Sequence, residues 1–160
     1  MTDTVVRVAD ARAGAAGVRL VTLGLGSCVA IILHDATAQV GGLAHVLLPS
    51  PTLSRDRTNR ARFPETAVPY LVQELTALGA APERLRARLV GGASMFASLS
   101  APGVAQMGER NVQASRDALK AACIPLVAED TGRDYGRSVY FDVADGRVEV
   151  RTVQHGNREL

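Results

Sequence analysis

The stretch Thr22-Leu-Gly-Leu-Gly-Ser-Cys28 ends a glycine-rich turn on a cysteine, and Gly41-Gly-Leu-Ala-His45 puts a histidine one strand later. This pairing suggests a thiol nucleophile and its base. A thiolate is the reactive form of cysteine, and a free thiol has a pKa of about 8.5, so an active cysteine needs a local device to ionise it. Backbone N–H groups of Gly24, Gly26 and Ser27 are candidate donors to that thiolate. They are equally candidates to hold an oxyanion forming on an attacked carbonyl. The strands carrying Cys28 and His45 are sequential and joined by a short turn. Such strands commonly pair, which brings nucleophile and base within reach of each other. Thr22, six residues before Cys28, offers a hydroxyl to hold the imidazole in one tautomer. Residue type alone leaves structural roles open: Cys28 as a small core hydrophobe, His45 as a satisfied core histidine, Thr22 as a β-branched strand residue.

The remaining candidates point elsewhere. His34 and His155 fall in turn or tail positions and read as solvated. Cys123 follows Leu119 by four residues and reads as a core thiol on the buried side of a helix. Cys28, His45, Cys123 and His155 lack the close ligand spacing of a structural zinc site, so no metal is expected. The glycine-rich turn lacks both the Walker lysine and the GxGxxG spacing of dinucleotide sites, which argues against phosphate binding. No cofactor is expected.

The elements that must position these residues follow from periodicity. Val5 to Ala9 and Val18 to Leu23 read as short strands joined by a small-residue loop. Val29 to Leu33 and Gly41 to Leu48 are apolar runs of strand length. Ser50 to Arg62 is polar and rich in arginine, the pattern of an exposed, mobile loop. Thr66 to Leu78 repeats Val68, Leu71, Val72, Leu75 and Leu78 on one helical face. Thr66 is its expected cap, Pro69 lies in its first turn and Gly79 closes it. Leu85 to Val90 reads as a strand, Gly91-Gly92 as a turn, and Asn111 as the cap of a helix reaching about Ala122. Ile124 to Ala128 is a further strand. Val139 to Val143 and Val148 to Thr152 flank Asp145-Gly146, the signature of a tight hairpin. The order predicts an α+β fold, mixed sheets with helices packed outside, in one domain spanning 1–160.

Composition narrows the class. Of the 160 residues 47% are hydrophobic and 21% charged, which fits a globular chain rather than a disordered one. Net charge is +2, and every basic residue except Lys120 is an arginine. The arginines are scattered, so no nucleic-acid stripe is expected. No apolar run approaches the ~20 residues of a membrane span. The N-terminus lacks the basic and apolar regions of a secretory signal. A cytoplasmic location is therefore expected, with both cysteines reduced.

Read together, Thr22-Leu-Gly-Leu-Gly-Ser-Cys28 and Gly42-Leu-Ala-His45-Val-Leu-Leu-Pro49 resemble the CheD family, chemoreceptor glutamine deamidases of bacterial and archaeal chemotaxis. The resemblance continues, in order, through Glu65-Thr-Ala-Val, Gly91-Gly-Ala-Ser-Met-Phe96, Gly108-Glu-Arg-Asn111-Val, Glu129-Asp-Thr-Gly132 and Gly136-Arg-Ser-Val. It departs at Arg133, where the family usually has a second glycine.

The resemblance implies layered mixed β-sheets with packed helices, similar to the catalytic domain of cytotoxic necrotizing factor toxins. It implies a catalytic set of Cys28, His45 and Thr22, with receptor glutamines as substrate and ammonia as product. Some members are linked to hydrolysis of receptor methyl esters. The CheC phosphatase is the implied regulatory partner, with the arginines of the Ser50 to Arg62 loop as a candidate docking rim. Two other classes remain open on sequence: an adaptor that stimulates CheC with little turnover, and a thiol amidase for a small molecule.

Overall fold

The computed structural model describes residues 1–99, 101–102 and 106–160, with the side chain of residue 97 set aside. Two five-stranded mixed sheets stack face to face, and two helices cover the far face of one of them. The strands are β1 Thr2–Val5, β2 Ala11–Ala15, β3 Val18–Leu25, β4 Val29–Asp35, β5 Val40–Val46, β6 Arg86–Gly91, β7 Leu126–Thr131, β8 Arg137–Asp142, β9 Val148–Arg151 and β10 Asn157–Glu159. The helices are α1 Pro64–Ala77 and α2 Met107–Ala121. Sheet 1 runs β1-β3-β8-β9-β10 and sheet 2 runs β2-β5-β4-β6-β7. Among the described residues, no helix is long and apolar enough to cross a membrane.

Strand alternation decides which layer each side chain enters. In β4, Val29, Ile31 and Leu33 join the cluster under α1 and α2, while Ala30 and Ile32 join the cluster between the sheets. In β5, Ala44 and Val46 face the helices and Leu43 faces sheet 1. Both strands are buried throughout, because each is covered on two faces. That is why they read as continuous apolar runs rather than alternating ones.

Several elements differ from their expected form. β2 forms in the segment read as a loop. Its Ala-Arg-Ala-Gly-Ala sequence has little strand preference, and pairing with β5 supplies what propensity lacks. α1 begins at Pro64 on Phe63, so Thr66 lies inside it, its hydroxyl donating to the carbonyls of Arg60 and Phe63. Pro69 then falls in the second turn rather than the first. Gly79 does close the helix: its N–H and that of Ala80 bond back to Thr76 and Leu75, the two-bond Schellman arrangement. Asn111 is no cap, since it lies within α2 and is fully buried. The β8–β9 connection is wider than two residues. Asp142 N–H bonds to the Arg147 carbonyl, leaving residues 143–146 as the loop, while Val143 N–H bonds to Val18 on β3.

Two side chains and one loop differ from expectation. Cys123 is exposed, beyond the end of α2 at φ 57°, with its N–H and that of Ile124 bonding back to Lys120 and Leu119. It occupies the left-handed position that glycine usually fills in this motif. His34 is buried rather than solvated, with Nε2 at 2.9 Å from the Val143 carbonyl and its ring edge-on to Phe141. The Ser50 to Arg62 loop is exposed at Arg55, Arg57 and Arg60, yet its end is pinned. Leu47 and Leu48 donate to the Arg62 carbonyl, and Asn59 donates to Ala9.

Candidate active site

Thr22 enters the space between the sheets because it follows Leu20 by two residues on the same face of β3, and the strand bulges just beyond it. The register slips between Thr22, opposite Val139, and Leu25, opposite Arg137. Gly24, at φ 66°, absorbs the extra residue, so Thr22 and Leu25 both point inward at a spacing of three. Leu23 is turned outward.

His45 lies across the gap on β5, opposite Ala30 on β4, on the inter-sheet face. Its backbone is clamped by the chain after β1. His45 N–H donates to the Asp10 carbonyl at 3.0 Å and its carbonyl accepts from Ala9 at 2.8 Å. Thr22 Oγ1 is 2.7 Å from His45 Nδ1 and 2.6 Å from the Val6 carbonyl. A hydroxyl has one proton, and a carbonyl can only accept. Thr22 therefore donates to Val6 and accepts from Nδ1–H, which leaves Nε2 bare. Nε2 is buried and has no hydrogen-bond partner among the described residues. Burial pushes the imidazole down to about 4, so the ring is neutral at physiological pH. The bond from Thr22 to His45 thus joins the two sheets and fixes which ring nitrogen is free.

Cys28 precedes β4 by one residue. Alternation puts it on the same face as Ala30, diagonal to His45 in the β4–β5 pair, within reach of a long side chain. It is half-buried and packs against the inter-sheet cluster. Burial pushes its thiol up from the usual range. The resting pair is therefore a neutral thiol and a neutral imidazole.

The turn that carries Cys28 is held by its carbonyls. Gly26 O accepts from Ala93 N–H and Cys28 O from Gly92 N–H, both at 2.8 Å. Ser27 O accepts from Asn111 Nδ2 at 2.9 Å. Gly91, at φ 112°, permits this contact, because a Cβ there would lie 2.4 Å from the Cys28 carbonyl oxygen. With three successive carbonyls tied to one wall, the N–H groups of Ser27 and Cys28 point the other way. Neither has a backbone acceptor among the described residues.

The later motifs converge on this wall. Arg137 Nε donates to Asp130 at 3.0 Å, both groups buried, and Arg137 Nη1 donates to the Gly132 carbonyl at 2.8 Å. Gly132 N–H bonds to Gly91, and Ser94 N–H bonds to the Arg133 carbonyl. Arg133 sits at φ 63°, a conformation glycine adopts without strain. Met95 lies over the turn, 3.2 Å from where a Cβ on Gly26 would be, and Leu23, Met95, Phe96 and Leu99 are exposed. A recess of about 590 Å³ opens beside them, bounded by Gly24, Met95, Tyr135, Ser138, Tyr140 and Arg151. Cys28 and His45 are not in its walls.

The structure therefore brings Thr22 and His45 into contact and puts Cys28 on the same inter-sheet face, diagonal to His45, with Gly26 and Ser27 in the turn before it. Sequence reasoning missed Val6, which receives the Thr22 proton, and Asn111, which grips the turn. Val6 carries no signal, since it acts through its carbonyl. Asn111 carries one: it shares a helical face with Val112, Ser115 and Leu119, an amide on a buried stripe.

Comparison with known proteins agrees with this architecture. A probable chemoreceptor glutamine deamidase CheD of Caldanaerobacter subterraneus is 44% identical over 151 residues, covering 94% of this chain and 93% of that protein. A second, from Geobacter metallireducens, is 47% identical over 156 residues, covering 97% and 96%. A crystal structure of a Neisseria meningitidis protein assigned to DUF152 shares the fold at a TM-score of 0.55 and 11% identity, over 84% of this chain and 65% of that one. The family model described as CheD chemotactic sensory transduction matches residues 47–152, and the chain belongs to the CheD family.

Proposed function

We propose that this protein is a cytoplasmic deamidase that converts specific chemoreceptor glutamines to glutamate, with Cys28 as nucleophile. The observation that carries the reading is the Thr22–His45 hydrogen bond, which leaves Nε2 unpartnered on the face Cys28 occupies. Family membership and the names of the relatives support the substrate. The exposed Met95 over the turn, with Leu23 exposed near its start, suits a protein surface better than a small polar molecule.

His45 Nε2 takes the Cys28 proton as the sulphur bonds to the amide carbon. The resting thiol and imidazole are both neutral, so this transfer accompanies substrate binding rather than preceding it. Catalytic hydrogen bonds often tighten only in the Michaelis complex. The carbonyl oxygen becomes an oxyanion held by N–H groups of the Gly26-Ser27-Cys28 turn. The imidazolium returns its proton to the amine nitrogen, the C–N bond breaks and ammonia leaves a thioester. Water, deprotonated by Nε2, then attacks the thioester, releasing glutamate and the thiol. General acid–base help of this kind contributes about 10²–10⁴-fold. Thr22 orients the base throughout.

The same reading makes CheC a regulatory partner that docks over the turn and competes with receptor. It also relates the layered sheets to the catalytic domain of cytotoxic necrotizing factor toxins. The decisive experiment incubates a receptor cytoplasmic fragment with enzyme and reads glutamine-to-glutamate conversion by mass spectrometry. Wild type and Cys123→Gly convert the fragment, whereas Cys28→Ala and His45→Ala do not. Full conversion by Cys28→Ala rejects the mechanism. Binding without conversion by wild type supports an adaptor instead.

A further inference from the structure

Asn111 lies fully buried inside α2, and its Nδ2 group donates two hydrogen bonds out of the helix. One goes to the Ser27 carbonyl at 2.9 Å and the other to the Leu47 carbonyl at 3.1 Å. The first carbonyl belongs to the peptide just before the nucleophile. The second lies two residues beyond His45 on the chain leaving β5. One carboxamide therefore grips both arms of the site. We infer that Asn111 is a positioning residue for deamidation, an inference that rests on the reading of Cys28 and His45 above.

The physical link is the planarity of the peptide bond. In the trans Ser27–Cys28 peptide the Ser27 C=O and the Cys28 N–H are antiparallel. Holding the oxygen toward α2 aims the N–H away from α2, to the side where Cys28 packs between the sheets. An oxyanion donor contributes most when its direction is already set and nothing must reorganise during the reaction. The Leu47 bond sets how far the turn stands from the strand that carries the base.

The choice of residue argues for this role over simple packing. Asparagine is a mediocre helix former, and here it occupies a face shared with Val112 and Leu119. Its Oδ1 is buried with no partner among the described residues, a net cost. Leucine has the same number of side-chain heavy atoms, branched at the same carbon, without that penalty. What asparagine alone adds is an NH₂ group able to donate to two carbonyls at once.

The test uses a Cys123→Gly background, so that Cys28 is the remaining thiol. Asn111→Leu keeps the branched shape and removes the donors. Ser115→Ala, one turn on, serves as a stability control, since it loses only a bond from Ser115 to the Asn111 carbonyl. Asn111→Leu is expected to lower kcat on the receptor fragment about 100-fold, with KM changed less than about twofold. Cys28 alkylation by iodoacetamide should slow as well. Ser115→Ala should lower Tm with kcat per folded molecule unchanged. Should Asn111→Leu not fold, Asn111→Ser, which keeps one donor, is read the same way and should fall between. A wild-type kcat per folded molecule in the Asn111 variant overturns the inference, as does an equal loss in Ser115→Ala at matched Tm. Activity in Cys28→Ala marks failure of the underlying catalytic reading. An inactive Cys28→Ala beside a fully active Asn111→Leu marks failure of this inference alone.

Discussion

Removing one hydroxyl should separate the structural and catalytic roles of Thr22. Thr22→Val keeps the shape and deletes the atom that bridges Val6 and His45. Both partners are then buried without a bond, since Val6 and His45 are each only 1% exposed. A buried unsatisfied group costs about 1–3 kcal/mol, so two of them should cost the variant roughly 2–6 kcal/mol of stability. That is a large share of the total of about 5–15 kcal/mol for a domain. The catalytic loss has a different origin. With nothing to accept from Nδ1–H, the proton is free to move to Nε2, and that tautomer cannot take the Cys28 proton. The loss in kcat should approach ~10²-fold, within the ~10²–10⁴-fold that acid–base catalysis supplies. Thr22→Ser restores the hydroxyl and should recover most of the rate. The assay pairs kcat on receptor fragment with the nitrogen NMR shifts of His45, which report the tautomer directly. A Thr22→Val protein with lowered Tm, wild-type kcat and an unchanged tautomer refutes the reasoning. So does a Thr22→Ser protein as impaired as the valine variant.

Stability should fall with acid in a window set by His45. Its pKa drops from the ordinary 6.5 to about 4 on folding, so the unfolded chain binds a proton that the folded one refuses. The native state is unpenalised above about 6.5 and loses up to about 3 kcal/mol as pH falls to 4, so His45→Gln should flatten that part of a denaturation curve. Identical curves for both proteins would remove His45 as the titrating group. Cys123→Gly and Arg133→Gly should each raise stability by about 1 kcal/mol, because both residues hold left-handed backbone that glycine adopts freely. Calorimetry showing lower Tm in both would mean that their side chains contribute more than the strain. Changing Arg55, Arg57, Arg60 and Arg62 to serine should weaken receptor or CheC binding and leave Cys28 alkylation unchanged. Unaltered affinity for both would exclude the loop from the interface.

The sequence by itself singled out the candidate residues Cys28 and His45 and the strands under them. Cys28 and His45 flank two apolar runs joined by a short turn, and local pairing of such runs is a short-range event. Their cross-strand relation was therefore legible from spacing. The β8–β9 pairing and the body of α1 were legible for the same reason, since period and turn residues are local signals. Thr22 was legible as a candidate hydroxyl, but its route to His45 was not. It depends on the stacking of two sheets that share no strand. β2 was invisible because its alanines and glycine have no strand preference until β5 provides a partner. The errors at Cys123 and His34 have a related cause. A left-handed turn at Cys123, just past the end of α2, exposes the thiol, and a loop that folds back onto β3 buries the imidazole. Asn111 shows the boundary most clearly. The sequence placed an amide near a helix start, where capping is the local role for it. Only the tertiary structure, by laying α2 across the Cys28 turn and the end of β5, gave its two N–H groups carbonyls from segments 84 and 64 residues away.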